Sequence, residues 1–270
     1  FIVLGTDNIL ISRFLGLAAV GIYSNYHLLI STVTGFIGLI FTSLTASVGN
    51  LNVSAESEKR ERIFDKIFLA SSVLYGAGGM MLFQMLNPFI TLWLGEEFIF
   101  SDLTVFVFVM DFILAGYMIP IDTFKDACGV FKVGRYRPLL TIIINVFMSI
   151  VLAKIMGITG IVLATSISRL LTTFWIDSMY TYELVFNKKA FRYYFTFIRY
   201  VVYDFLGIGL LFIIRSKVIA LNLSPVLYFF ITILYSTIFI ISYIFLIYGR
   251  KRDFLELKNL IFRILKRKIH

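Results

Sequence analysis

Residues 225–248 carry no charged side chain, and stretches almost as apolar recur along the whole 270-residue chain. About 20 apolar residues in a helix cross about 30 Å of hydrocarbon, so these runs fix the solvent before they fix the fold. Apolar residues make up 59% of the chain and charged residues 15%, against roughly 45–50% and about 25% in soluble domains. The chain is an integral membrane protein. Only helices and closed barrels satisfy their backbone groups in hydrocarbon. No alternating ten-residue pattern between polar turns is present, so the expected fold class is all-α, a bundle of transmembrane helices.

Eight spans are expected, at 1–16, 21–47, 66–91, 101–123, 138–155, 158–182, 197–214 and 225–248. The first is read as the second half of a helix that begins upstream, because Phe1 lies inside an apolar run with no charged region before it. The polar stretch 50–66, with Glu58, Lys59, Arg60, Glu61 and Arg62, reads as a water-exposed loop with a short amphipathic helix.

Most of the 25 Lys and Arg fall on one side of this arrangement, around 59–66, 125–137, 188–199 and 250–268, whereas a loop on the other side is acidic, with Glu96, Glu97 and Asp102. By the positive-inside rule the basic side is expected to be cytoplasmic, with the C-terminus there. The net charge of +9 is then topology, not a nucleic-acid footprint. Phe254, Leu257, Ile261, Ile264 and Leu265 recur at helical spacing among basic residues, so the tail is expected to lie on an anionic membrane surface.

An ionised side chain at the bilayer centre costs at least about 2.5–3.5 kcal/mol, so it faces a cavity or a partner. Asp7, Asp111 and Arg169 are the deep ones. Arg169 and Asp177, with Thr173 between them, share a helical face and form a candidate polar stripe. Asp204, Lys154, Arg215 and Glu183 read as span-end residues that reach the headgroups. Asp122 is placed to pair with Lys125 at i+3. Pro120 is expected to kink its helix, and Gly76, Gly78 and Gly79 read as helix-packing positions.

Catalytic signatures are absent from the sequence. His27 and His270 are its only histidines and Cys128 its single cysteine, too few for a zinc site or an intramolecular disulfide. No phosphate-binding glycine loop and no water-facing carboxylate pair suited to acid–base work occurs. No enzyme activity, cofactor or metal is expected.

One run of blocks is similar to a known family. Asp7-Asn8-Ile9-Leu10-Ile11-Ser12-Arg13-Phe14-Leu15-Gly16 followed by Val20-Gly21-Ile22-Tyr23-Ser24-Asn25 resembles the opening of the second half of bacterial polysaccharide (oligosaccharide) flippases of the Wzx type. Gly49-Asn50-Leu51 with Glu58-Lys59-Arg60, then Asn87-Pro88-Phe89-Ile90 and Leu92-Trp93-Leu94-Gly95-Glu96, continue the likeness. Phe124-Lys125-Asp126-Ala127 with Gly129, Arg135-Tyr136-Arg137-Pro138, Asn145 and Gly157-Ile158-Thr159-Gly160-Ile161 carry it to about residue 195.

The resemblance implies the C-terminal six-helix lobe of a MATE-like transporter at 1–186 and a terminal transmembrane hairpin with a basic tail at 187–270. It also implies a bacterial cytoplasmic-membrane flippase for undecaprenyl-pyrophosphate-linked oligosaccharides, working by alternating access. Arg13, Arg169 and Asn25 would then line the substrate path, and Asp7, Asp111 and Asp177 would couple ions or pair with the cations. Expected partners are the lipid-linked oligosaccharide, membrane lipids, and polysaccharide polymerase and assembly proteins. A cation-coupled multidrug exporter of the same fold is the alternative, ahead of a membrane-bound polysaccharide polymerase or transferase. A non-transporting scaffold stands as a further reading.

Overall fold

The computed structural model describes residues 2–54, 57–130 and 134–256, and among them regular structure is entirely helical. In chain order the helices are α1 (Ile2–Leu15), α2 (Leu17–Ser54), α3 (Ser57–Trp93), α4 (Asp102–Ala127), α5 (Arg137–Met156), α6 (Ile158–Leu171), α7 (Thr173–Phe186), α8 (Phe191–Ile219) and α9 (Pro225–Tyr248). Seven segments are long and apolar enough to cross a membrane, with α6 and α7 counted together as one. The eighth expected span is α1, shorter than a full crossing within the described residues. The chain is a multi-pass, all-α membrane protein.

Two boundaries differ from expectation. Most of 50–66 is not a loop: α2 runs on to Ser54 and α3 begins at Ser57. Glu61, read as water-exposed, is buried on α3, where its carboxylate takes Lys188 at 2.5 Å and Arg192 at 3.7 Å. The 158–182 span is interrupted at Thr172, whose backbone leaves the helical region (φ −121°, ψ −74°). The Thr172 hydroxyl donates to the Ser168 carbonyl at 2.6 Å and meets Thr141 at 2.8 Å, so side chains stitch the break. α5 and α6 form a hairpin through Gly157, whose φ of 59° with ψ of −132° is open only to glycine.

α3 and α4 are the buried axis; α2, α6, α7, α8 and α9 pack on one or both of them, and α1 and α5 form an outer layer against α2 and α6. Lipid tails are as apolar as leucine, so association inside a membrane rests on shape fit and hydrogen bonds, not on expelling water. At the basic end an aromatic cluster supplies the fit: Phe64 meets Phe124, Tyr182, Phe186 and Tyr193 edge-on at 5.5–5.9 Å, joining α3, α4, α7 and α8. Such edge-to-face pairs add about 0.5–1.5 kcal/mol each beyond their packing. At the other end, Tyr26 of α2 donates to Asn87 of α3 at 2.5 Å, and Asn87 donates to the Phe100 carbonyl at 2.8 Å.

The terminal hairpin, α8 with α9, docks on α3. Tyr235 donates to Gln84 at 2.8 Å and Tyr243 to the Tyr203 carbonyl at 2.6 Å. Asp204 is not a span-end residue at the headgroups, and Arg215, within the last five residues of α8, stands at a span end but is turned into the bundle. Both are buried, Asp204 accepting a hydrogen bond from Tyr117 and Arg215 pairing with Asp102 across the end of α4. Lys154 and Glu183 are exposed. Of the apolar positions in the tail, Phe254 packs on Phe245 and Tyr248, whereas Leu257, Ile261, Ile264 and Leu265 lie outside the described residues.

Candidate functional site

Helical spacing explains how dispersed polar residues come to share one space. On α2, Tyr23, His27, Ser31 and Thr34 step by four, four and three, and so stand on one face. On α6 the same rule aligns Thr165, Ser168 and Arg169, and on α5 it aligns Arg137 and Thr141. These faces, with Asp7 of α1 and Asp111 of α4, enclose a cavity of about 580 Å³. It runs from the middle of the bundle at Asp7 and Asp111 to the start of α5 at Arg137.

The charges inside it are paired, but incompletely. Arg169 lies 3.3 Å from Asp111 Oδ2, while Ser166 donates to Asp111 Oδ1 at 3.1 Å. The Tyr23 hydroxyl lies 3.5 Å from Asp7 Oδ2. Asp7 Oδ1, Arg169 Nε and Arg137 Nε are buried with no hydrogen-bond partner among the described residues. Buried polar atoms normally have partners, because each unpaired one costs about 1–3 kcal/mol. A wall that leaves both signs of charge part-satisfied fits a polar ligand better than a dry core.

A second cluster stands next to the cavity. Asp177 of α7 is buried between Lys125 of α4 at 2.9 Å and Arg137 at 2.8 Å. Lys125 also holds Asp122 at 3.1 Å. Arg137 reaches both ways, since it donates to Thr173 at 3.1 Å on the cavity wall. Arg169 and Asp177 therefore do not form a stripe on one continuous helix. The break at Thr172 puts Arg169 in the cavity and Asp177 in the neighbouring cluster, with Arg137 between them.

The sequence-predicted residues divide accordingly. Asp7, Asp111 and Arg169 meet in the cavity wall, and Asp177 stands beside it. Arg13 is exposed on α1, and half-buried Asn25 of α2 does not line the cavity. Sequence reasoning read Arg137 only as a topological cation of the basic side. The signal that would have found it is Thr141 four residues on, facing the same way, with Pro138 opening the helix between them. No family model, curated protein or solved structure matches the chain.

Proposed function

We propose that the chain is the cavity-bearing lobe of a flippase that carries undecaprenyl-pyrophosphate-linked oligosaccharides from the inner to the outer leaflet of a bacterial cytoplasmic membrane by alternating access. The observation that carries the reading is the cavity in which Arg169 and Arg137 stand among hydroxyl side chains inside a membrane bundle. A pyrophosphate needs fixed cations when it leaves water, and the planar guanidinium forks suit its oxygens. Sugar hydroxyls need hydrogen-bonding partners, and the hydroxyls of Tyr23, Ser31, Thr34, Thr141 and Thr165 supply them while the polyprenyl tail stays in lipid.

The ion pair between Arg169 and Asp111 is the switching element of this reading. With Asp111 engaged, Arg169 is occupied; a proton or cation arriving at Asp7 and Asp111 releases it to the anionic headgroup. An inside-negative potential favours outward passage of an anion by about 2.3 kcal/mol per charge per 100 mV. Asp7 and Asp111 beside Phe108 and Phe112 also fit the cation-coupled drug exporter of the alternative reading.

The test is complementation of a strain lacking its own flippase, with surface polymer and membrane protein level measured for the unaltered gene and for Arg169→Ala. Restored polymer that Arg169→Ala removes at unchanged protein level supports the flippase reading. No restoration, together with drug efflux from the same cells, replaces it with the exporter.

A further inference from the structure

The basic end holds a second cavity, separate from the one above, between α3, α8 and the turn that follows α9. Its volume is about 460 Å³, and it is bordered by Arg192, Arg199, Tyr200 and Lys251, with Asp65 and Asp253 as the acids. Arg192 is committed to Asp65 at 2.8 Å. Arg199 and Lys251 form no ion pair among the described residues, although both lean on one ring. The guanidinium of Arg199 lies 5.5 Å and the ammonium of Lys251 lies 4.5 Å from the centre of Tyr200. The Tyr200 hydroxyl accepts a hydrogen bond from Lys251 at 3.3 Å.

The placement of Lys251 is built. Lys66 of α3 holds Glu256 at 2.6 Å, pinning the turn against the bundle. Burial, and then the like charge of Arg199, pull the Lys251 ammonium down to about 8 from its ordinary 10.5, partly countered by Asp253. Two cations held together against their mutual repulsion make a place for an anion. The cavity is also bordered by Phe195, which is 74% exposed, and Ile198 on the same helix is 55% exposed. Those side chains lie where a bilayer would be, so the anion reaches the cavity from the side.

We propose that this cavity binds the phosphate of an anionic membrane phospholipid, with Arg199 and Lys251 as its cationic contacts and Phe195 against its acyl chain. Basic pockets between transmembrane helices are a recurring form of headgroup site. The inference is independent of the flippase reading.

Native mass spectrometry of the full chain, released from nanodiscs containing phosphatidylcholine and phosphatidylglycerol, tests it. Retention of phosphatidylglycerol is expected to fall about fivefold in either Arg199→Gln or Lys251→Gln, the weight of one surface cation. Lys251→Arg and the exposed-site control Lys189→Gln are expected to retain it. Lys251 lies outside the transmembrane helices, just after α9, so its variant gives a readout even where Arg199→Gln fails to fold. Equal loss in Lys189→Gln, or no loss in either cavity variant, overturns the proposal. Inorganic phosphate that displaces the lipid at millimolar concentration assigns the cavity to soluble phosphate and overturns the lipid assignment.

Discussion

Tyr117 of α4 donates a hydrogen bond to the carboxylate of Asp204 of α8, at a point where α3 offers only Gly76. A Cβ at Gly76 would overlap the Asp204 carboxylate, so the absent side chain is what seats a buried acid between three helices.

Gly76→Ala is expected to push Asp204 off Tyr117 and lower stability by about 1–3 kcal/mol, the cost of a buried polar group left unpaired. Gly209→Ala, where a Cβ meets open space, is expected to cost nothing. Thermal unfolding of the two variants in detergent checks the pair. Equal melting temperatures would refute the close approach.

Asp177→Ala strands two cations, Lys125 and Arg137, and is expected to cost about 3 kcal/mol, the low end for a broken buried pair, because Lys125 keeps Asp122. Asp122→Ala is expected to cost under about 1 kcal/mol. The contrast follows from exposure: the Asp177 side chain is 6% exposed and that of Asp122 47%. Denaturation of both variants alongside the parent measures it.

If the cavity carries the headgroup, Arg169→Ala is expected to reduce transport by about tenfold or more, the weight of one charge-assisted hydrogen bond. Arg13 is exposed on α1, away from the cavity lining, so Arg13→Ala is expected to stay within about twofold. Export of labelled lipid-linked sugar by both variants at matched protein level is the measurement. A larger loss from Arg13 than from Arg169 would move the path to the outside of α1.

Lys251 has a folded pKa of about 8, below its ordinary 10.5. Between those values the unfolded chain binds more protons than the folded one, so stability rises with pH through that window. The contribution is full above about 10.5 and lost as pH falls through about 8. Between pH 7.5 and 10.5 the parent is expected to gain on Lys251→Met in melting temperature. Saturating phosphatidylglycerol, by supplying the counter-charge, is expected to flatten the difference. A constant offset between parent and variant across this range would show that Lys251 does not titrate there.

The helical class and the places of the spans were legible because hydropathy is a property of segments about 20 residues long. Depth was harder to read. Asp204 lies seven residues along its helix from Phe197, within reach of an end by counting, yet it points inward to Tyr117, and direction is set by a neighbour that counting does not contain. Glu61 was misread for the same reason: its partners, Lys188 and Arg192, lie far along the chain. Asp111 and Arg169 were legible as a site because their cost inside a membrane is intrinsic. Arg137, at a helix start in a basic loop, had an adequate topological reason to be there, and only packing against α7 supplied the other one.

The break at Thr172 divides a single membrane crossing between two mechanical bodies. Its first arm, α6, is fastened to α5 through the Gly157 hairpin and to Thr104 of α4 by Thr159, and its second, α7, is locked into the aromatic cluster and the Lys125–Asp177 pair. Arg169 ends the first arm and Asp177 lies within the second. Arg137, on α5, belongs with the first arm yet pairs with Asp177 on the second, so that ion pair ties the two arms together across the break. The break is thus braced twice over, by the Thr172 hydroxyl on its own helix and by a buried charge contact reaching across it.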